Sequence, residues 1–347
     1  MEQYFDAFSV LFAKGEVYMN GKYFPLGQCT TDILNLDSTV LDQIEEKIRV
    51  LIPEVELLLY KKTDSAARSA QEKLNAVWDL IFTLPVYRDL NMERYASYNL
   101  FPFLLADEEK WVQAQDERSE GREMFRSLLD GLETFTPSIR SFQGQISGML
   151  DFYFEPLTRR GADAYAQAYA QYFHEMKSME GFFGDKTFEQ SFPVESNFVP
   201  MRDPKQEGKT ILAERASFSR LVHFLYTDFY RGLMVGNAPR KCHNCGIYFL
   251  LTAGYNTCYC NNLAPGETER TCRKVGAHKK EAQERVTATP AQKEYAKVYN
   301  RLKARKQRGK ISIDEWNTAV SKALDLKEQA DRGELSDEEL RRKLAEF

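Results

Sequence analysis

The chain has 347 residues, 43% of them apolar and 13% aromatic, which is ample for a packed core in two or three structural units. It has no run of about 18 apolar residues, so no membrane span or membrane partner is expected. The net charge of −4 hides a division: between Arg240 and Lys310 sixteen Lys and Arg stand against five Asp and Glu, a local +11, and the remainder carries −15.

A basic segment joined to an acidic body fits a polyanion-facing module on a solubilising domain, and it also fits a solvated basic rim. The opening "MEQYFDAFSVLFAKGE" lacks the basic start and long apolar run of a secretory signal. A cytoplasmic location is expected. Thiols stay reduced there, and clustered cysteines favour metal over disulfide.

Near the start, Val17–Met19 and Lys22–Phe24 flank Asn20-Gly21, the dipeptide of a type I′ turn, so a hairpin is predicted. The chain then becomes mainly helical. Val40, Leu41, Ile44, Ile48 and Leu51 recur at helical spacing behind Ser38 or Thr39 as cap. Tyr165, Tyr169, Tyr172 and Phe173 make an aromatic helical stripe, which is read as a packing face. Residues 186–210 mix Pro, Gly and charge and read as a loop or short hairpin within the large domain. "SRLVHFLYTDFYRGLMVGN" reads as a core helix ended by Gly236-Asn237, with His223 a satisfied buried histidine; His174 is read the same way.

Five of the six cysteines lie in "KCHNCGIYFLLTAGYNTCYCNNLAPGETERTC", residues 241–272, and Cys29 stands apart as an inert core thiol. A tetrahedral zinc ion takes four thiolates at about 2.3 Å. Cys242 and Cys245 can share a tight turn and one ion. Cys258 and Cys260 fall on one face if their segment is extended, so geometry alone does not choose between them. The ligand set adopted is Cys242, Cys245, Cys260 and Cys272, or C-x2-C-x14-C-x11-C, with Cys258, His243 and His278 as alternates. Four sulfurs close the site, so a structural rather than catalytic zinc is expected. No H-x-E with P-C-x-x-C, no P-loop, no H-E-x-x-H and no G-x-S-x-G occurs, and no catalytic residue is assigned.

Beyond the cysteines Thr289, Pro290 and Gln292 open a helix with Tyr295, Val298, Tyr299 and Leu302 on its apolar face. Ser312 with Glu315 and Ser336 with Glu339 mark two further helix starts.

The segments "RKCHNCGIYFLLTAGYNTCYC", "APGETERTCRKVGAHKK" and "EYAKVYNRLKARKQRGKIS" resemble the C-terminal zinc finger of a bacterial family of unknown function, from about Ile211 onward. More distantly they resemble the CGNR zinc-finger proteins, regarded as transcription regulators. That resemblance implies an effector-type domain before the finger, and by position it implies the same four ligands. The Cys-Gly-Asn-Arg tetrad itself is missing, since Cys272 is followed by Arg273-Lys274-Val275.

The expected fold is mainly α with a small N-terminal β-hairpin, then a C-terminal treble-clef-like zinc finger followed by helices. The expected domains are a helical effector- or partner-binding unit over 1–238, the four-cysteine finger over 239–288, and a basic helix with a small helical tail over 289–347. The expected function is a zinc-stabilised DNA-binding protein that regulates transcription. Its contacts would come from Arg273, Lys274, Lys279, Lys280, Arg301 and Arg305, with Arg273 the reader of a base edge. The competing expectation is a protein–protein adaptor in which the finger only locks the C-terminal helices, and a third is an enzyme with its site in the N-terminal domain.

Overall fold

The computed structural model describes residues 7–92, 99–178, 191–278 and 289–347. It separates into two compact units, Met1–Cys260 and Asn261–Phe347.

The first unit begins with three strands, β1 (Phe8–Ala13), β2 (Glu16–Met19) and β3 (Lys22–Pro25). Alternation along β1 buries Phe8, Val10 and Phe12 and turns Ser9 outward. The β2–β3 turn is the predicted Asn20-Gly21 pair, with φ of 46° and 80°, and Lys14-Gly15 makes a second such turn between β1 and β2.

The sheet is larger than the expected hairpin. Among the described residues it has five antiparallel strands in the order β3-β2-β1-β5-β4, the last two being β4 (Glu195–Arg202) and β5 (Thr210–Phe218). Phe8 pairs with Phe218 and Phe12 with Glu214, so β5 returns to β1 after the long helical crossing. Of the segment read as a loop or short hairpin, residues 186–190 lie outside the described residues, and the remainder up to 210 holds β4 and its turn into β5, a hairpin. β4 is an edge strand exposed along most of its length, so it carries little of the alternation that marks a half-buried strand.

Between β3 and β4 lie α1 (Gln28–Leu34), α2 (Ser38–Tyr60), α3 (Asp64–Ile81), α4 (Tyr87–Leu90), α5 (Leu100–Ala106), α6 (Glu108–Gln115), α7 (Glu120–Met149) and α8 (Ala162–Ser178). The cap of α2 is Asp37, one residue before the predicted Ser38: its carboxylate accepts from Thr39 N–H. Leu132, Phe135, Ile139, Phe142 and Ile146 form the buried stripe of α7. Tyr165 and Tyr172 are buried on α8, with Tyr169 and Phe173 half-buried, so the aromatic stripe is a packing face.

The core helix α9 (Leu221–Met234) lies against this assembly with Leu221, Phe224, Leu225 and Phe229 fully buried. His223 on α9 is half-buried, bonded to Ser219 at 3.1 Å and stacked on Phe192. His174, expected to be buried, is exposed on α8 because it falls outside the Tyr165–Tyr172 stripe.

Asp228 of α9 is buried completely and closes the start of α1. It accepts from Gly27 N–H at 2.8 Å and from both the Thr30 N–H and hydroxyl at 2.9 Å. Burial pushes its carboxyl up to about 6 against the pull of these three donors. Gly232 approaches the Gly27 backbone so closely that a Cβ would meet Gly27 Cα at 3.2 Å.

Among the described residues the second unit holds three helices, here α11 (Pro290–Gln307), α12 (Ile313–Asp331) and α13 (Asp337–Ala345), after a short helical stretch, α10, over residues 272–278. All three predicted capping boxes are formed, at Thr289/Gln292, Ser312/Glu315 and Ser336/Glu339. Val298, Leu302, Ala323, Leu340 and Leu344 make their small core.

Candidate metal centre

The cysteines are placed by a hairpin of two short strands, β6 (Ala238–Lys241) and β7 (Tyr248–Leu251). Gly236, at φ 83°, ends α9 and lets the chain turn directly into β6. The hairpin is tied down on both sides. Asn237 donates to Leu26 C=O at 3.1 Å and accepts from Ala253 N–H at 3.1 Å, while Asn35 at the end of α1 bonds both main-chain groups of Tyr248.

Between β6 and β7 the chain makes a knuckle. Cys242 N–H donates to Ile247 C=O at 2.9 Å, and Gly246 N–H donates back to Cys242 C=O at 2.8 Å. Gly246 sits at φ 76°, a conformation side chains rarely adopt. A second segment closes on the knuckle: His243 N–H donates to Cys258 C=O at 2.9 Å, and Cys260 N–H points at Cys242 Sγ at 3.4 Å. Further on, Leu263 bridges Thr271 and Cys272 N–H donates to Asn262 C=O at 2.8 Å, which makes Cys272 the first residue of α10.

The thiols of Cys242, Cys245, Cys260 and Cys272 lie within 4.8 Å of one another, with Cys245 and Cys260 Sγ 3.6 Å apart. Four sulfurs at about 2.3 Å from a tetrahedral ion stand about 3.8 Å from each other, so the group fits such an ion. Cys242, Cys260 and Cys272 are buried and Cys245 is half-buried. Burial alone pushes the Cys242 thiol up. The N–H groups of Cys260, Asn244 and Cys245 outweigh it and bring the thiol down to about 7. A thiolate held by backbone N–H groups is the ionised donor that a metal requires.

The alternates fall outside the group. Cys258 is half-buried and does not join it, because residues 258–259 bend rather than extend and the same-face rule for strands does not apply there. Thr257 Oγ1 accepts from Tyr259 N–H at 3.2 Å within that bend. His243 turns to Glu155, with Nε2 to Oε1 at 2.7 Å, and His278 is exposed later in α10. Cys29 is buried in α1, where burial raises its thiol well above the usual value, as an inert core cysteine requires.

The residues predicted to contact nucleic acid fall on two helices and on undescribed positions. Arg273 and Lys274 are exposed in the first turn of α10. Lys279 and Lys280 lie outside the described residues. Arg301 donates to Leu344 C=O at 2.9 Å and Arg305 to Phe347 O at 2.7 Å, which joins α11 to the end of α13. Asn256, read as a turn residue, donates to Thr158 C=O at 3.1 Å.

Sequence reasoning missed the polar cluster beside the knuckle. Glu155 accepts from Arg240 at 3.0 and 3.3 Å and from Arg160 at 3.5 Å, in addition to His243. Burial raises its carboxyl, but the bonds from Arg240 and His243 prevail and hold it below the usual range. No motif links residues 155, 160 and 240, so only the folded chain shows the group.

Residues 189–347 match a family of unknown function (DUF6076). The matched segment starts before β4, so it takes in the β4–β5 hairpin and α9 as well as the cysteines. No curated protein and no solved structure gives a match.

Proposed function

We propose that the four thiols hold one structural zinc ion in a treble-clef-like finger, and that the chain is a cytoplasmic nucleic-acid-binding protein that regulates transcription. One observation carries the reading: Cys272 is both a member of the thiol group and the first residue of α10, whose next two residues are the exposed Arg273 and Lys274. An ion bound there fixes the direction of that helix, and with it the placing of two cations. Four thiolates leave no open position for water, so the ion acts as a clamp and not as a Lewis acid. Exposed Lys303, Arg308 and Lys310 extend the basic character of the same unit. The N-terminal unit then serves as the effector- or partner-binding body.

The test is a mobility-shift titration of the zinc-loaded chain on a short duplex at increasing salt. Binding should weaken with a log–log slope of about −0.9 per phosphate neutralised. No complex at about 50 mM salt, where such interactions are strongest, would remove the reading. One observation favours the adaptor instead: Arg301 and Arg305 are spent on carbonyls of their own unit. In that case charge reversal at Arg273 and Lys274 leaves partner capture unchanged.

A further inference from the structure

Beside the cysteine knuckle, and within the first unit, lies a cleft of about 240 Å³. Part of its lining comes from an irregular turn. The chain leaves α7 through a π-helical segment, Leu150–Phe154, in which Glu155 N–H reaches back five residues to Leu150 C=O at 2.8 Å. Such widened turns recur at functional sites, because they cost helix regularity and re-aim side chains. Here Leu150, Phe154 and Glu155 all line the cleft, and β6 adds Pro239, Arg240 and Lys241 to the lining.

The charge among the buried side chains lining the cleft is unbalanced. The Arg160 side chain is only 2% exposed, and its Nε is buried with no hydrogen-bond partner. The Arg240 side chain is 10% exposed. These two guanidinium groups share one carboxylate, Glu155, which also holds His243. Asp151 is exposed at the rim, where Lys241 adds a third cation. Burying an arginine with a donor left over costs free energy, and the ordinary remedy is an acceptor supplied from outside. Burial and the neighbouring Arg240 both disfavour charge on Arg160, Glu155 offsets them only in part, and an anion beside this guanidinium would stabilise its charge further. The buried Tyr165 hydroxyl lies beside Arg160, near enough for a side-chain hydrogen bond as well as a direct electrostatic interaction with it, and it carries no formal charge to balance the guanidinium.

The geometry points to a binding site for a small organic oxyanion, a phosphate monoester or a carboxylate. Its charged end would take the unused donor of Arg160, and its apolar body would lie on Leu150, Phe154 and Pro239. A guanidinium so deeply buried is beyond the reach of a duplex backbone, so the site is separate from any nucleic-acid surface. It adjoins the metal knuckle through Arg240–Lys241–Cys242, so occupancy there bears directly on the finger.

Calorimetric titration of the full, metal-loaded chain at constant ionic strength tests the site with four probes: inorganic phosphate, phenyl phosphate, benzoate and neutral benzyl alcohol. One site per chain is expected for phenyl phosphate or benzoate, weaker binding for inorganic phosphate, and none for benzyl alcohol. Which of the two aromatic anions binds more tightly separates the phosphate from the carboxylate source. Arg160→Gln should weaken binding by about tenfold or more, the loss expected for one charged hydrogen bond. Because a buried arginine also supports the fold, a second readout uses the unaltered chain: the Nε–H resonance of Arg160 should shift as the anion is added. If neither anion gives heat nor moves that resonance at about 10 mM, the weak limit of specific binding, the site does not exist.

Discussion

Asn35 holds Tyr248 by both of its main-chain groups: Nδ2 donates to the carbonyl at 2.8 Å and Oδ1 accepts from the N–H at 2.7 Å. The two residues are 213 positions apart. This side chain does for β7 what a third strand would do, and it fixes the cysteine-bearing hairpin to the end of α1. Asn35→Ala should cost about 1 kcal/mol in urea denaturation, the modest figure suited to an exposed bond. Asn35→Asp should cost more, because a carboxylate oxygen replaces the donor that faced the Tyr248 carbonyl. Equal stability for all three chains would show that the clamp is not made in solution.

Removing one thiol from the four leaves three ligands and an ion that is easily lost. Elemental analysis should find one zinc per chain in the unaltered protein and in Cys258→Ser. Cys260→Ser and Cys272→Ser should fall well below one. Chelation should lower the melting temperature of the unaltered chain and of Cys258→Ser, with little effect on Cys272→Ser. A metal-deficient Cys258→Ser would overturn the ligand assignment.

The parts of this fold that read directly from the residues are those set by local chemistry. Thr289, Ser312 and Ser336 start helices because each has its capping partner three residues on. Asn20-Gly21 makes its turn because both residues tolerate positive φ. The central sheet pairs were not readable. β1 meets β5 across some two hundred residues, and nothing near Phe8 encodes Phe218 as its partner. The four-cysteine group was legible through cysteine spacing, but the choice of Cys260 over Cys258 depended on a bend at 258–259 that the sequence does not announce. The Glu155 cluster was illegible for the same reason as the sheet, since its members come from a π-turn and a distant strand.

Asp228 makes stability depend on pH with an unusual sign. Its carboxyl is raised by burial to about 6 in the folded chain, against 3.8 as its ordinary value. The folded state therefore binds the proton more tightly, and this group adds stability as pH falls through about 6 toward 4. Between pH 7 and pH 5 that amounts to about 1 kcal/mol. His223, lowered by burial, gives the opposite slope near its own value. Comparison with Asp228→Asn cancels that slope, because both chains carry His223. Glu155 and Glu214 have lowered values, so their stabilisation is lost only at more acidic pH. Asp228→Asn should be less stable at pH 7, since its amide turns a donor toward Gly27 or Thr30 N–H. It should also gain less than the unaltered chain on acidification to pH 5. Parallel pH profiles for the two chains would show that Asp228 does not titrate in this range.

The structure separates two kinds of arginine that the sequence offered as one set. Arg301 and Arg305 donate to the Leu344 carbonyl and Phe347 O, where cations also complement the negative end of α13. Arg301→Gln should therefore lower stability by about 1 kcal/mol and leave the salt slope of nucleic-acid binding unchanged. Arg273 and Lys274 stand exposed at the opening of α10. Arg273→Gln with Lys274→Gln should leave the melting temperature nearly unchanged and reduce the magnitude of the salt slope by about 1 for each phosphate no longer neutralised. Denaturation and salt titration of the same two variants give a crossed pattern: one variant moves only the first measurement, the other only the second. If Arg301→Gln alone changes the salt slope, the nucleic-acid surface lies on α11 and not on the helix that Cys272 begins.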